Sequence, residues 1–296
     1  MNSEEVEKIK QAGEIARQVV VYAKEVVKSG MLLLEVVNKI EDKIVELGAK
    51  PAFPVNLSVN EIAAHCTPSF NDSEVAFGLL KVDIGVHIKG YVADTAFSLD
   101  LEDSDENKRL IEAAEAGLKA GLEKIGYGVK LGEIGKNVQE AISSYGFSPI
   151  QNLSGHEIKQ YDLHAGLNIP NYDNKSDIEL DEGLYAVEPF ATNGSGKVRD
   201  GKPSGIYHLI KESNVRDNFA REVLKFIVEE YDSLPFCSRW IYKKFGSRGL
   251  LALRQIEQAG VLHQYPQLVE VNRGKVAQAE HSVLITKEVK IVTTNV

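Results

Sequence analysis

The chain has 296 residues, of which 26% are charged and 43% hydrophobic, and its formal net charge is −9 at pH 7. That length can bury a full core, no run of about eighteen apolar residues suggests a membrane span, and the acidic balance argues against DNA as the partner of the whole protein. The start, MNSEEVEKIKQAGEIARQVV, is acidic and amphipathic rather than a signal peptide, and Cys66 and Cys237 stand in no metal-binding spacing, which fits a reducing, cytoplasmic setting.

Val6, Ile9, Ala12, Ala16, Val19, Ala23 and Val26 recur near the period of 3.6 residues and predict a first helix over about residues 4–28, stopped at Gly30. A second helix fits residues 35–47, ended by Gly48. A third and a fourth fit about 105–125 and 132–145, with stretches rich in Val, Ile, Phe and Tyr between the two pairs. Gly30, Leu33, Glu35, Val36, Ile40, Ile44, Gly48 and Pro51 recur 98 positions later as Gly128, Leu131, Glu133, Ile134, Val138, Ile142, Gly146 and Pro149. Amphipathic helices repeat apolar positions by chance, but not both glycines, the glutamate and the proline. The pattern implies an internal duplication, two helix-pair-plus-sheet halves facing across a cleft. Residues 202–262 then carry three amphipathic helical stretches before strand-like sequence returns, a helical excursion within an α/β chain.

The densest chemical signal is VDIGVHIKGYVADTAFSLDL, residues 82–101. Two β-rich runs flank Lys89-Gly90, which reads as a tight hairpin turn. With Ile88 opposite Tyr91, Gly85 falls opposite Asp94 and Asp83 opposite Ala96. All four share a face, because side chains alternate along a strand and opposed residues point the same way. Asp83 and Asp94 then stand roughly 5–8 Å apart at Cβ. Two such charges on an otherwise apolar face call either for a cation between them or for an exposed, solvated hairpin.

His156 lies in NLSGHEI, a short polar loop entering an extended stretch. Glu188 lies in GLYAVEPF, where Tyr185, Val187 and Pro189 point one way and Ala186 and Glu188 the other; Glu280 is placed similarly in KVAQAEHSVLI. A glutamate buried unpaired in so apolar a strand is costly. Each of the three alone reads first as structural. Together with the aspartates they supply four carboxylates and one imidazole, a set suited to two divalent ions bridged by carboxylates and a hydroxide.

The order Asp, Asp eleven later, His, Glu and a final Glu resembles that of the methionine aminopeptidases of the creatinase-like pita-bread superfamily. The stretches AFPVNLSVNEIAAHCTP, VDIGVHIKGYVADTAFS, SGHEIKQYDLHAGLNIPN, YAVEPFATNGSG and VAQAEHSVL carry the likeness over almost the whole chain. The helical segment between Glu188 and Glu280 resembles the insert of the type 2 subclass, and the short N-terminus resembles its archaeal members. The resemblance implies an α/β (α+β) pita-bread fold, with a curved antiparallel sheet and flanking helices in pseudo-two-fold array. Residues 1–201 and 263–296 would form the catalytic domain and 202–262 a helical insert subdomain. The implied activity is metal-dependent removal of the initiator methionine from nascent proteins and peptides, by a hydroxide bridging two divalent ions, with a small second residue preferred.

By the same resemblance Asp83 binds one ion, Asp94 and Glu280 bridge the pair, and His156 and Glu188 complete the other shell, with Glu188 handling the proton of the attacking water. Cobalt, manganese, iron and zinc all suit an oxygen-rich site with one imidazole. His65 and His164 are 99 positions apart, close to the repeat offset, so they either flank one cleft or serve as core histidines. The resemblance turns His164 toward the scissile carbonyl and His65 toward the amide backbone, and matches His208 to a third active-site histidine. Phe53 and Tyr265 match the methionine pocket, and Leu163 is either an aliphatic wall residue or ordinary core. A monomer is implied.

Three other signals carry less. NGSGKVRDGK, residues 193–202, lacks the spacing of a phosphate-binding loop and reads as a hairpin loop. Cys66 has no separate base to make it a nucleophile. Arg239, Lys243, Lys244, Arg248 and Arg254, with no acidic residue among them, read as a solvated helix face or as a contact with ribosomal RNA near the exit of new chains. Two rival functions stand beside the aminopeptidase. One is a proline-specific peptidase, whose members usually carry a large domain where this chain has 82 residues before Asp83. The other is a non-catalytic partner-binding protein, whose relatives typically lose ligand types kept here.

Overall fold

Helix α1 (Ser3–Val26) begins the computed structural model, which describes residues 1–211 and 215–295. A capping box starts it: the Asn2 side chain accepts from the Glu5 N–H, and the Glu5 carboxylate accepts from the Asn2 N–H. Helix α2 (Leu33–Glu46) follows, then strands β1 (Lys50–Pro51), β2 (Asn56–Val59), β3 (Ile62–Ala64), β4 (Leu79–Ile88) and β5 (Tyr91–Asp100). The second half repeats the plan with α3 (Asp105–Lys124), α4 (Leu131–Ser144), β6 (Ser148–Pro149), β7 (Ser154–Ile158), β8 (Asn168–Pro170), β9 (Gly183–Val187) and β10 (Phe190–Thr192).

The duplication is visible in the backbone. Helices α2 and α4 are both 14 residues long. Gly30 and Gly128 precede them with φ of 83° and 73°, and Gly48 and Gly146 follow them with φ of 86° and 83°. Only glycine takes that left-handed conformation without steric cost, which is why the repeat kept these positions. Each helix is also anchored the same way, the Leu33 N–H donating to the Glu74 carbonyl and the Leu131 N–H to the Ile178 carbonyl.

Beyond the repeat come β11 (Val198–Leu209), α5 (Asn218–Tyr231), β12 (Phe236–Cys237), α6 (Ser238–Gln258), β13 (Leu262–Glu270), β14 (Val276–Gln278), β15 (Glu280–Ile285) and β16 (Lys290–Val292). The main sheet has nine strands, running β1-β4-β5-β15-β9-β7-β8, with β16 added on β15 and β2 on β4. Helices α1 and α2 pack on one side of β4 and β5 through Val36, Ile40, Leu80, Val82 and Ile84, and α3 and α4 cover β9 and β15 through Leu110, Val138, Tyr185 and Val283. Each such side chain contributes about 1.5–3 kcal/mol on burial. One face of the sheet is thereby committed to the core. The other is left to form the wall of a cleft.

The helices α5 and α6 build a core of their own against β11, β12 and β13, with Val223, Ile227, Phe236, Ile241 and Ile256 at its centre. The second and third helical stretches expected between 202 and 262 join into α6, broken at Gly246, whose φ is 62°. Arg239 corrects the picture of a solvated basic face. It is buried, its guanidinium grips the Glu41 carboxylate of α2 with two bonds of 2.8 Å, and the Trp240 indole donates to the same carboxylate. This pair pins α6 to the first half; the other four basic residues stay exposed. Among the described residues, no helix is long and apolar enough to cross a membrane.

Candidate metal centre

Lys89 and Gly90, both at positive φ (51° and 83°), turn β4 into β5 in the geometry that matches strand twist. The register runs from that turn as expected: Ile88 opposite Tyr91, Gly85 opposite Asp94, Asp83 opposite Ala96. Strand β15 then pairs with β5 so that Glu280 lies opposite Ala96, on the face of both aspartates. Strand β9 pairs with β15, and Pro189, which cannot donate to the ladder, ends it just past Glu188. Strand β7 pairs with β9 through Glu157 and Ile158, bringing His156 alongside. Five consecutive strands of the sheet, β4-β5-β15-β9-β7, thus present Asp83, Asp94, Glu280, Glu188 and His156 in turn, Glu188 from the end of its strand.

Donor atoms of Asp94, His156 and Glu280 all lie within 4.8 Å of one another. The His156 Nε2 is 3.6 Å from an Asp94 oxygen and 3.8 Å from a Glu188 oxygen. These are not ion pairs. Burial, with His164 nearby, pushes His156 down to about 3, so the imidazole is neutral. The carboxylates move the other way: burial raises Asp83 to about 7, and burial together with the neighbouring carboxylates holds Asp94, Glu188 and Glu280 well above the usual range. Lys81, two residues before Asp83, does not neutralise them, because its Nζ donates to the Asn60 carbonyl at 2.7 Å.

One buried oxygen each of Asp83, Asp94 and Glu280 has no hydrogen-bond partner among the described residues. Buried polar atoms are rarely left so. Four carboxylates, a neutral imidazole and orphaned oxygens on one point fit divalent cations. Gln278, not singled out from the sequence, supports the group: its Nε2 donates to Glu280 at 3.3 Å and to Asp83 at 3.5 Å. Its position two residues before Glu280, at the end of β14, was the available signal. Ser282, two residues past Glu280 on β15, holds the Asp94 backbone through bonds of 2.8 and 2.9 Å.

These carboxylates and His156 face a cavity of about 290 Å³ whose walls include Phe53, His65, Leu163, His164 and Tyr265. His65 and His164 do flank one cleft. The His164 ring stands 4.5 Å from that of His156, and the His65 ring 5.0 Å from that of Tyr265. His65 sits at φ 56°, a left-handed conformation uncommon for residues other than glycine and concentrated at functional sites. Burial, then His164, lowers His65 to about 4, and enclosure by the cavity lowers His164, so both rings are neutral hydrogen-bonding groups. Leu163 serves two purposes, packing with Phe53 in an apolar cluster and lining the cavity.

His208 is not part of the cavity wall itself but lies against Tyr265, which is, with the rings tilted and their centroids 4.7 Å apart, and it helps to lower the proton affinity of His164 after burial. Asn56, Phe190, Ile206 and Pro235 line the cavity without having been expected; Asn56 lies directly opposite Asp83, and Pro235 comes from the turn after α5. The 193–202 stretch is not a hairpin loop. Residues 193–197 link β10 to β11, which belong to different sheets, and the Glu270 carboxylate accepts from the Ser195 hydroxyl and from the Asn272 and Gly274 N–H groups. Cys66 is buried, its thiol pushed up to about 12 by that burial, and it accepts from Gln267, so it is no nucleophile.

Residues 7–287 match the model of metallopeptidase family M24. The chain is 46% identical to the methionine aminopeptidase of Thermococcus onnurineus, over 98% of this chain and 100% of that one. It is 45% identical to that of Pyrococcus abyssi, over 98% and 99%. Among solved structures, a thermophilic Arx1 superposes with a TM-score of 0.84 at 14% identity, covering 99% of this chain and 91% of that one. The methionine aminopeptidase of Thermotoga maritima superposes with a TM-score of 0.72 at 21% identity, covering 100% and 98%. These likenesses identify the fold as the pita-bread arrangement.

Proposed function

The chain belongs to metallopeptidase family M24, and from that premise we propose that it removes the N-terminal methionine from peptides and nascent proteins. It is a metalloexopeptidase that depends on divalent metal, as its full-length relatives named methionine aminopeptidase and its buried Asp, His and Glu group support. The observation that carries the reading is the run of five ligand side chains on five neighbouring strands, opening beside a partly apolar cavity large enough for one amino-acid side chain.

In this reading Asp83, Asp94, His156, Glu188 and Glu280 would together hold two divalent ions, Asp94 and Glu280 serving both. When bound, divalent metal would acidify a water and polarise the scissile carbonyl. Phe53, Leu163 and Tyr265 hold the methionine side chain by apolar contact. His164 donates to the developing oxyanion and His65 orients the amide, each as a neutral group that needs no proton change to do so. Glu188 accepts the proton lost by the attacking water. The mixed oxygen and nitrogen donors suit cobalt, manganese, iron or zinc. Residues 1–201 and 263–296 act as the catalytic body and 202–262 as the insert, in a cytoplasmic monomer.

Stripping the protein of metal and restoring manganese or cobalt is expected to give metal-dependent release of methionine from a Met-Ala-Ser peptide. Pro- and Leu-initiated controls are expected to stay intact. Cleavage of the proline peptide would move the protein to the rival peptidase class, and no cleavage with metal tightly bound would leave a partner-binding protein. The exposed residues Lys243, Lys244, Arg248 and Arg254 are the proposed ribosome-facing surface. Reversing all four charges is expected to reduce co-sedimentation with ribosomes, with the loss growing as salt is lowered; unchanged co-sedimentation removes that partner. Arg239 is left out of the test because breaking a buried pair costs about 3–5 kcal/mol and would unfold rather than inform.

A further inference from the structure

We infer that His208 and His263 form a second, separate metal site at the rim of the cavity, one that takes a late first-row divalent ion such as zinc, nickel or copper. The two residues are directly opposed across β11 and β13 and so project from the same face. Their ring centroids are 5.4 Å apart and the rings are inclined at 64°. An ion about 2.0–2.1 Å from each imidazole nitrogen lies about 3.2 Å from each ring centroid, which puts the centroids about 5.2 Å apart at the tetrahedral angle. The observed spacing fits one shared ion.

Other features agree. The Nδ1 of His208 is buried with no hydrogen-bond partner among the described residues, while His263 is exposed, so an ion could enter from solvent. Burial, and then His263, lowers the proton affinity of His208, which favours the neutral, ligating form. Tyr265 packs on both rings, at 4.7 and 5.7 Å, and fixes the pair. Burial holds the Tyr265 hydroxyl up to about 12, so it stays a phenol and water completes the shell.

Two imidazoles and water differ in kind from the carboxylate-rich centre. Imidazole suits zinc, copper and nickel, whereas oxygen donors also satisfy manganese. A peptidase loaded with manganese would therefore leave the rim free until a softer ion arrives. An ion there would tie up His208 and place positive charge beside Tyr265, on the cavity wall. If the proposed function holds, that charge opposes entry of a peptide's N-terminal ammonium and brakes turnover.

The test compares wild type with His263→Ala. His263 is exposed and outside the peptidase site, so the fold and the manganese-supported rate are expected to be unchanged. Zinc titration of the metal-free proteins by calorimetry is expected to show one weak equivalent in wild type that the variant lacks. Loss of even an outer partner of a metal site costs about 10–100-fold in affinity, so loss of one of two imidazoles should cost at least about tenfold. In the manganese-loaded enzyme, zinc is expected to raise KM for the methionyl peptide in wild type at concentrations at least about tenfold below those needed in the variant. Equal stoichiometry in the two proteins overturns the site, leaving a stack on Tyr265 only. A lost equivalent with an unchanged zinc response keeps the site and overturns the brake. Because the calorimetry needs no turnover, failure of the peptidase reading would appear separately, as absent cleavage with the extra equivalent still present.

Discussion

Glu280→Gln is expected to abolish methionine release, lowering kcat/KM by well over about 100-fold. Losing only an outer partner of a metal ligand costs about 10–100-fold in affinity, and here the proposed ligand itself loses its charge and one of its two acceptor oxygens. The amide is the same size, so packing against Gln278 and β5 should survive. The effect on stability has the opposite sign. Burial and the neighbouring Asp94 and Glu188 disfavour the ionised Glu280, so removing its charge relieves the metal-free protein. Thermal unfolding of the stripped variant should then occur at or above the wild-type temperature, while the upward shift on adding manganese shrinks. Near-normal turnover, or an undiminished shift with metal, would defeat the assignment of Glu280 between two ions.

His164→Ala should lower kcat by about 10²-fold or more while the metal-induced shift in unfolding temperature stays as in wild type. The reasoning is geometric. The ring borders the cavity at 4.5 Å from His156 yet is not needed to close the carboxylate group. A neutral donor aimed at a growing negative charge acts in the transition state more than in the ground state, and its loss appears in kcat. A rise in KM with kcat unchanged would show instead that His164 only holds the peptide. Loss of the metal shift would show that it organises the ligands through His156.

The sequence by itself determined the parts whose partners lie close along the chain. The β4–β5 hairpin is one: its two-residue turn at Lys89-Gly90 sets a register that carries back unbroken to Asp83 and Ala96. The helix boundaries and the duplication are others, because amphipathic period and left-handed glycines act within a few residues. The candidate carboxylates were legible too, since such residues stand out in apolar strands whatever the strand order.

Only the tertiary structure decided which strands become neighbours. Gln278 meets Asp83 from 195 positions away, and nothing local encodes that β15 inserts between β5 and β9. Arg239 looked like one more surface cation; the depth of Glu41 across the domain contact made it a buried partner. The neighbours of His208 are likewise set by register shifts along β11 and β13, which place it opposite His263 and beside Tyr265. Side-chain alternation fixes a face only once the partner strand is known, and for pairings closed over long loops that choice is made by the packing of the whole fold.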